Sequence, residues 1–185
     1  ADGLAPGLAA ERLRGASGGS AETLIEQLIA LRRPAVLIDC TASERVAAHS
    51  ARLLAAGIAL VTPNKIAFAA ESARWRPLQA ALASGTPAGW SATVGAGLPI
   101  LSTLRRLRSA GDQLHSVEAS LSGTLGYVLT RTQDGATLRQ AIGEAVAQGL
   151  AEPDPRIDLS GGDVRRKLLI LLREAGIDLD ERQIA

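Results

Sequence analysis

Two short apolar runs on either side of a helix-length segment constrain the fold of this chain more than any other feature. Residues 35–39 are Ala-Val-Leu-Ile-Asp, and residues 58–61 are Ile-Ala-Leu-Val. Continuous apolar runs of this length are typical of parallel strands that are buried on both faces. Between them, residues 43–56 carry apolar side chains at helical spacing and stop at Gly57. The order strand, helix, strand predicts a βαβ unit with a right-handed crossover and a parallel sheet.

The segments around this unit predict one loop, two helices and a third strand. Residues 1–20 are rich in Gly, Ala and Ser without a sustained period, so we expect a loop or linker. Ser20 is a candidate N-cap for a helix that ends before Pro34. A further helix containing Pro77 leads to a strand predicted around residues 89–94.

The second half of the chain has a different pattern. A helix is predicted to begin at Pro99 and to end at Gly111. Residues 115–121 alternate between apolar and polar side chains, which predicts a strand with one face toward solvent or a partner. Three helical segments follow, and a loop stiffened by Pro153 and Pro155 separates the last two of them. Their predicted ranges are 123–133, 137–148 and 160–175.

These patterns predict an α/β chain with two domains. Residues 1–94 are expected to form a partial Rossmann-type domain with a doubly wound parallel sheet. Residues 95–185 are expected to form part of an α+β domain. The boundary lies near residue 95, where the strand–helix alternation ends.

Charge and cysteine content exclude several classes of function. The 185 residues include 20 Lys and Arg against 19 Asp and Glu, so the net charge of +1 does not suggest the clustered basic surface that nucleic acids require. No uninterrupted run reaches about 18 apolar residues, so no membrane span is predicted. Cys40 is the one cysteine, which excludes an internal disulfide. Its apolar surroundings predict a buried, unreactive thiol in a reducing, cytoplasmic compartment.

No glycine-rich dinucleotide fingerprint follows any predicted strand. Residues 95–100 are Gly-Ala-Gly-Leu-Pro-Ile and lack the third glycine of G-x-G-x-x-G. If a dinucleotide binds, we expect the site for its pyrophosphate to lie outside this chain.

Polar residues follow both predicted central strands. Ligands of open parallel sheets bind beyond the carboxyl ends of the strands, where Thr41 and Lys65 are expected. Their hydroxyl, backbone amide and ammonium groups suit a phosphate or a nicotinamide. The alternative is that Ser43 only caps a helix and that Lys65 is a surface lysine, and spacing alone does not decide between the two.

Asp163 and Lys167 stand four residues apart on a predicted helix and therefore share a face. Lys167 falls at the flank of the apolar stripe, which predicts partial burial, while Arg166 points to solvent. The preceding loop is densely charged, with Glu152, Asp154, Arg156 and Asp158. An ordinary salt bridge beside a polar turn is the commoner explanation of such spacing.

Five segments together resemble homoserine dehydrogenase, and most closely the dehydrogenase half of the bifunctional aspartate kinase/homoserine dehydrogenases. They occur in the family's order over about residues 35 to 175. The segments are Asp-Cys-Thr at 39–41, Val-Thr-Pro-Asn-Lys at 61–65, Val-Gly-Ala-Gly-Leu-Pro at 94–99, Leu-Ser-Gly-Thr-Leu at 121–125, and 152–171, which begins Glu-Pro-Asp-Pro-Arg and ends Lys-Leu-Leu-Ile-Leu.

The resemblance implies reduction of L-aspartate 4-semialdehyde to L-homoserine by NADPH or NADH, on the route to threonine, methionine and isoleucine, by a homodimer. Lys167 matches the family's proton donor, and Lys65 matches a second active-site lysine near the nicotinamide. The positions that match substrate contacts are Glu152, Asp158, Asp163, Gly123 and Thr124. Those that match cofactor contacts are Thr41, Lys65 and Gly149, and the backbone of Val94, Ala96 and Leu98 matches a sodium site.

The chain departs from the family's pattern in three respects. Many relatives carry an acidic residue at the position of Ser91, beside the sodium site, and Tyr at the position of Leu150. The family's glycine-rich fingerprint precedes the position of residue 1, and its remaining sheet strands follow residue 185. The alternative expectation is therefore a truncated, non-catalytic interaction or oligomerisation module with the dehydrogenase fold.

Overall fold

A three-stranded parallel sheet forms the first half of the protein. The computed structural model describes residues 20–31, 34–151 and 154–184. The sheet order is β1-β2-β3, and Leu60 in the middle strand lies opposite Leu37 on one side and Ala88 on the other. The strands are β1 Val36–Ile38, β2 Ala59–Val61 and β3 Ala88–Gly89. The predicted parallel sheet is confirmed.

Helices pack against one face of the sheet and make up most of the second half. Ser20 caps the first helix by accepting a hydrogen bond from the backbone N–H of Thr23 at 3.1 Å, as its sequence position predicts. The helices are α1 Ala21–Ala30, α2 Glu44–Ala47, α3 Ser50–Ala55, α4 Ser72–Ala83, α5 Ile100–Ser109, α6 Gly123–Gln133, α7 Leu138–Ala147, α8 Pro155–Leu159 and α9 Gly162–Glu174. Short 3₁₀ turns occupy Ser91–Thr93 and Glu181–Gln183.

The crossover between β1 and β2 contains two short helices, so the single helix predicted over residues 43–56 is wrong in this detail. The N–H of His49 bonds to the carbonyl of Val46 at 3.1 Å, three residues back. This tighter turn ends α2, and α3 begins at the next residue. Ser43 caps α2, and its hydroxyl accepts from the N–H of Val46 at 3.4 Å.

One face of the sheet is exposed among the described residues, which contradicts the prediction of strands buried on both faces. Leu60 is 2% exposed, whereas Val36 and Ile38 are 59% and 67% exposed. Successive side chains of a strand point to opposite faces, and the described helices cover only one of them. Cys40, just after β1, is also exposed, so the predicted buried thiol is wrong.

Two further strand predictions differ from the structure. The third strand ends at Gly89, because a 3₁₀ turn starts there and the N–H of Thr93 bonds to the carbonyl of Trp90 at 3.0 Å. Residues 115–121 form neither helix nor strand. A strand requires a hydrogen-bonded neighbour, and no segment of the described ranges pairs with these residues. Val117 and Leu121 nevertheless pack against the main core.

The segment after Pro153, predicted as a loop, contains the short helix α8. Pro155 occupies its first turn, where a missing N–H costs nothing, and the side chain of Asp154 accepts from the N–H of Arg156 at 3.1 Å. The loop prediction fails here because these two capping signals start a helix. Asp158 is therefore carried on a helix.

The largest core cluster joins the two halves of the chain. Leu54 and Leu60 from the first half pack in the same cluster as Leu169 and Leu171 of α9. Each is at most 2% exposed, and burial of such a side chain contributes about 1.5–3 kcal/mol. This packing fixes α9 against the βαβ unit. Across the described part of the chain, every helix is too short or too polar to cross a membrane.

Candidate active site

A polar cavity of about 550 Å³ opens beyond the carboxyl ends of β1 and β2. The sequence predicts a ligand site at this edge, where open parallel sheets bind their ligands. Its walls come from the loops after both strands and from the start of α9. The polar side chains that line it include those of Thr41, Asn64, Lys65, Asp158, Asp163 and Arg166.

Lys167 is held in one position by two oxygen atoms. Its Nζ lies 2.7 Å from Oδ2 of Asp163 and donates to the carbonyl of Leu121 at 2.8 Å. The side chain is 20% exposed, which agrees with the partial burial that the helical spacing predicts. Lys167 does not itself line the cavity, but its partner Asp163 does.

Asp163 also pairs with the second lysine. Nζ of Lys65 lies 3.3 Å from its Oδ1, so one carboxylate joins the loop after β2 to α9. Burial raises the pKa of Asp163, but the hydrogen bonds and charges of Lys167 and Lys65 outweigh it and leave the pKa below its ordinary value. Lys65 is 31% exposed and is held by this ion pair.

Asp158, which lines the cavity, contacts Thr124, which lies behind it and does not line the cavity. The Thr124 hydroxyl donates to the carbonyl of Leu150 at 2.6 Å and lies 3.3 Å from Oδ1 of Asp158. Gly123 is the first residue of α6, and the Ser122 hydroxyl caps this helix by accepting from the N–H of Leu125 at 3.1 Å. The structure therefore brings Thr124 to Asp158.

The buried carboxylate of Asp39 organises both strand ends. No sequence pattern had indicated a role for it. Asp39 is 5% exposed and accepts from the N–H and the hydroxyl of Thr41 at 2.9 and 2.6 Å. Its other oxygen accepts from Nδ2 of Asn64 at 3.1 Å. Asn64 also donates to the carbonyl of Ser43 at 3.1 Å. The sequence feature that could have predicted this network is an Asp and an Asn just after neighbouring parallel strands.

The network positions two of the predicted cofactor contacts. Thr41 is bound to Asp39, and Lys65 directly follows Asn64, so both face the cavity with their loops fixed. Gly149 lies elsewhere: it ends α7 with φ at +67° and does not line this cavity. Glu152, a predicted substrate contact, lies outside the described residues.

Arg166 also lines the cavity, although its position on the helical wheel predicts only a solvent-facing side chain. It is exposed, as predicted, but the solvent that it faces is the cavity itself. Helical spacing indicates which side of α9 meets the core, and it carries no information on what lies beyond the opposite side.

The segment predicted to bind sodium supplies no acidic side chain. Val94 is fully buried, Ala96 has a φ of +50°, and Leu98 is 62% exposed with its carbonyl accepting from the N–H of Ile100 at 2.9 Å. Within the described ranges, no group of three or more His, Cys, Asp or Glu side chains is arranged to hold a metal ion. Sodium binding therefore stays a prediction of the resemblance.

The geometry defines a class of protein. Lys65, paired with Asp163, lies in a cavity at the carboxyl ends of a parallel sheet, where open α/β sheets bind their ligands. The fold and the place of the cavity are those of the nucleotide-binding α/β proteins.

Comparison with known proteins identifies the family. Residues 99–185 match the sequence profile described as "Homoserine dehydrogenase", and residues 6–86 match the profile "Homoserine dehydrogenase, NAD binding domain". The chain belongs to the homoserine dehydrogenase family. The resemblance that the five sequence segments carry is thereby confirmed.

Individual relatives agree with this assignment. The chain is 46% identical over 146 residues to a chloroplastic bifunctional aspartokinase/homoserine dehydrogenase 1 of Zea mays, and 38% identical over 167 residues to the homoserine dehydrogenase of Schizosaccharomyces pombe. These alignments cover 78% and 87% of this chain, but only 16% and 44% of the relatives. The structure of a hyperthermophilic archaeal homoserine dehydrogenase in complex with NADPH superposes with a TM-score of 0.72 at 27% identity, over 85% of this chain and 47% of the archaeal one.

Proposed function

We propose that this chain carries the catalytic centre of a homoserine dehydrogenase, which interconverts L-aspartate 4-semialdehyde and L-homoserine with NADP or NAD. The observation that carries the proposal is the carboxylate of Asp163 between Lys65 and Lys167, at the edge of the sheet where ligands bind. The product would serve the synthesis of threonine, methionine and isoleucine. The chain spans less than half of the relatives named above, so the activity is proposed for the protein that contains it.

The cavity fits the nicotinamide end of such a cofactor. Its volume of about 550 Å³ lies within the range of small-molecule sites. The Thr41 hydroxyl and the Lys65 ammonium are the groups that would hold the nicotinamide end there, since both line the cavity and both are fixed by carboxylates. When bound, the cofactor supplies or accepts a hydride. The archaeal relative in complex with NADPH supports this assignment.

Lys167 would hold and move the proton of the reaction. Reduction of an aldehyde to an alcohol requires one proton at the oxygen atom, in addition to the hydride. We assign this proton to the ammonium of Lys167, which lies 2.7 Å from Asp163, a residue of the cavity wall. Semialdehyde reduction is the direction that a protonated donor favours.

The substrate's own ammonium group requires an anion. Asp158 lies at the cavity wall beside Thr124, and Glu152 precedes it by six positions in the chain. We assign the ammonium to these two carboxylates, with Gly123 and Thr124 beside them. A glutamine in place of Glu152 is expected to raise the KM for homoserine.

The remaining features of the proposal follow from the family. We assign residues 1–94 to the nucleotide-binding domain and residues 95–185 to the substrate domain, with Gly149 as a further cofactor contact. The complete protein is proposed to be a cytoplasmic homodimer that acts on a small molecule.

The test uses the native gene product that contains these 185 residues. NADPH oxidation is followed with L-aspartate 4-semialdehyde as substrate, in the wild type and in Lys167→Gln. We expect kcat to fall by about 10²–10⁴-fold, the usual contribution of a positioned general acid. Arg165→Gln is the matched control, because Arg165 is an exposed cation of the same helix and is not one of the two residues paired with Asp163. A kcat within twofold of wild type in Lys167→Gln, or equal losses in both variants, would refute the assignment.

A further inference from the structure

A second cavity, of about 330 Å³, lies at the other end of α9. It shares no lining residue with the candidate active site. Its walls come from α4, α5, the end of α9 and the residue after β3. We call it the tryptophan cavity. Its aromatic and cationic lining side chains are those of Phe68, Trp75, Trp90, Arg105, Arg108 and Arg173.

The tryptophan cavity carries an excess of positive charge. Three arginines line it against one carboxylate, that of Glu174. This carboxylate already accepts from Nε of Arg105 at 2.7 Å and from the indole N–H of Trp90 at 3.1 Å. Arg108 reaches only the backbone carbonyl of Glu174, at 3.5 Å. Its guanidinium is thus left without a carboxylate among the described residues.

Arg173 is the strongest indication of a missing anion. It is 6% exposed, and it donates only to the carbonyls of Phe68 and Leu179, at 2.8 and 3.1 Å. Its Nε has no hydrogen-bond partner in the described ranges. Burial lowers the pKa of this guanidinium, against the charges of Asp178 and Asp180. A buried cation without a paired anion is costly, and a bound anion would offset that cost.

The other walls are aromatic. The rings of Phe68 and Trp90 stack with centroids 5.3 Å apart, and Arg105 lies 4.3 Å above the Trp90 ring. The Arg173 guanidinium lies 4.7 Å from the centre of the Trp75 ring. The indole N–H of Trp75, which is 7% exposed, is a second buried donor without a partner among the described residues. The cavity thus combines unsatisfied donors with a flat apolar surface.

We propose that the tryptophan cavity binds a small organic carboxylate, with its carboxylate near Arg108 and Arg173 and its apolar part against the aromatic rings. A guanidinium pairs with a carboxylate by two parallel hydrogen bonds, which favours this anion over a halide. The volume is near the lower limit of small-molecule sites, so the ligand is about the size of benzoate. This site is independent of the proposed dehydrogenase activity.

The two tryptophans make the binding directly observable. Trp75 and Trp90 are the only tryptophans in the sequence, and both line this cavity. The two indole N–H signals of the ¹⁵N-labelled 185-residue chain therefore report on this cavity alone. Benzoate is titrated at constant ionic strength, with benzamide as the uncharged molecule of the same shape and inorganic phosphate as an anion without an apolar part. We expect saturable shifts of both signals with benzoate only.

Variants test the charge requirement. Arg108→Gln removes an exposed arginine of the cavity and is expected to raise the Kd for benzoate about threefold or more. Arg106→Gln is the matched control on the same helix, because Arg106 does not line the cavity, and it is expected to leave the Kd unchanged. Equal shifts with benzamide, shifts with phosphate as large as those with benzoate, or equal effects of the two variants would each overturn the proposal.

Discussion

Nζ of Lys167 lies 2.7 Å from Oδ2 of Asp163, one turn earlier on α9. Because the same carboxylate also lies 3.3 Å from Nζ of Lys65, the pair connects the helix to the loop after β2. The contact therefore has two consequences, one for stability and one for proton transfer, and each can be measured separately.

The first prediction concerns stability at acid pH. The pKa of Asp163 is lowered in the folded protein, so its contribution is fully present above the ordinary Asp pKa of about 3.9 and is lost as the pH falls through the lower folded value. The side chain is 42% exposed, so screening limits this contribution to about 0.5–1 kcal/mol. We expect Asp163→Asn to lose less stability than wild type between pH 6 and pH 3, measured by urea unfolding. Asp112→Asn, at an exposed site, should follow the wild-type curve.

The second prediction concerns the reverse reaction. Oxidation of homoserine requires Lys167 to accept a proton, which only the neutral form of a lysine can do. We therefore expect the rate of homoserine oxidation in the native gene product to rise toward alkaline pH. Asp163→Asn should lower this rate, because it removes the carboxylate that holds the Lys167 side chain in position. A flat profile in the wild type, or an unchanged rate in the variant, would argue against this role of Lys167.

The third prediction tests the network at the strand ends. Asp39 is 5% exposed, and its carboxylate accepts from Thr41 and Asn64. Asp39→Asn replaces one of the two accepting oxygens by an amide NH₂ group. The buried donor that bonded to that oxygen then has no partner, which costs about 1–3 kcal/mol of stability. Chemical denaturation measures this change. Asp112→Asn is again the control, because Asp112 is exposed and bonds only to the next backbone N–H. A loss below about 0.5 kcal/mol would mean that the network does not organise the site.

The fourth prediction distinguishes two neighbouring glycines. Gly95 has a φ of +78°, and a Cβ there would collide with Cδ1 of Ile100. Gly95→Ala is therefore expected to lower the free energy of unfolding by about 1–3 kcal/mol. Gly97 has no atom within 4 Å of its Cβ position and no positive φ, so Gly97→Ala should cost less than about 0.5 kcal/mol. Thermal unfolding of both variants compares them, and equal losses would contradict the strain at Gly95.

Local signals predict much of the secondary structure. The cap at Ser20, the helix predicted over residues 123–133 and the order of strands around the crossover all agree with the structure. They depend on contacts within a few residues, which a sequence displays directly. The strand predicted over residues 115–121 is wrong because it depends on a distant contact. An alternating pattern becomes a strand only beside a partner that hydrogen-bonds to it.

In the candidate site, too, the sequence predicts the local contacts and not the long-range ones. Spacing places Asp163 and Lys167 on one face of a helix, and the structure makes them an ion pair. Spacing does not place Lys65 beside them, and it gives no reason to select Asp39 or Arg166. Those relations join segments far apart in the chain, and only the packing of α9 against the βαβ unit brings them together.

The sequence by itself determined the parallel βαβ unit, the i,i+4 pair on α9 and the family. The first two follow from local periodicity, and the third follows from collinear motifs. Only the tertiary structure decided that one carboxylate is shared by two lysines and that Nε of Arg173 is buried without a hydrogen-bond partner among the described residues. The physical reason is that electrostatic interactions and burial depend on distance in space, which the folded core sets and the order of residues does not.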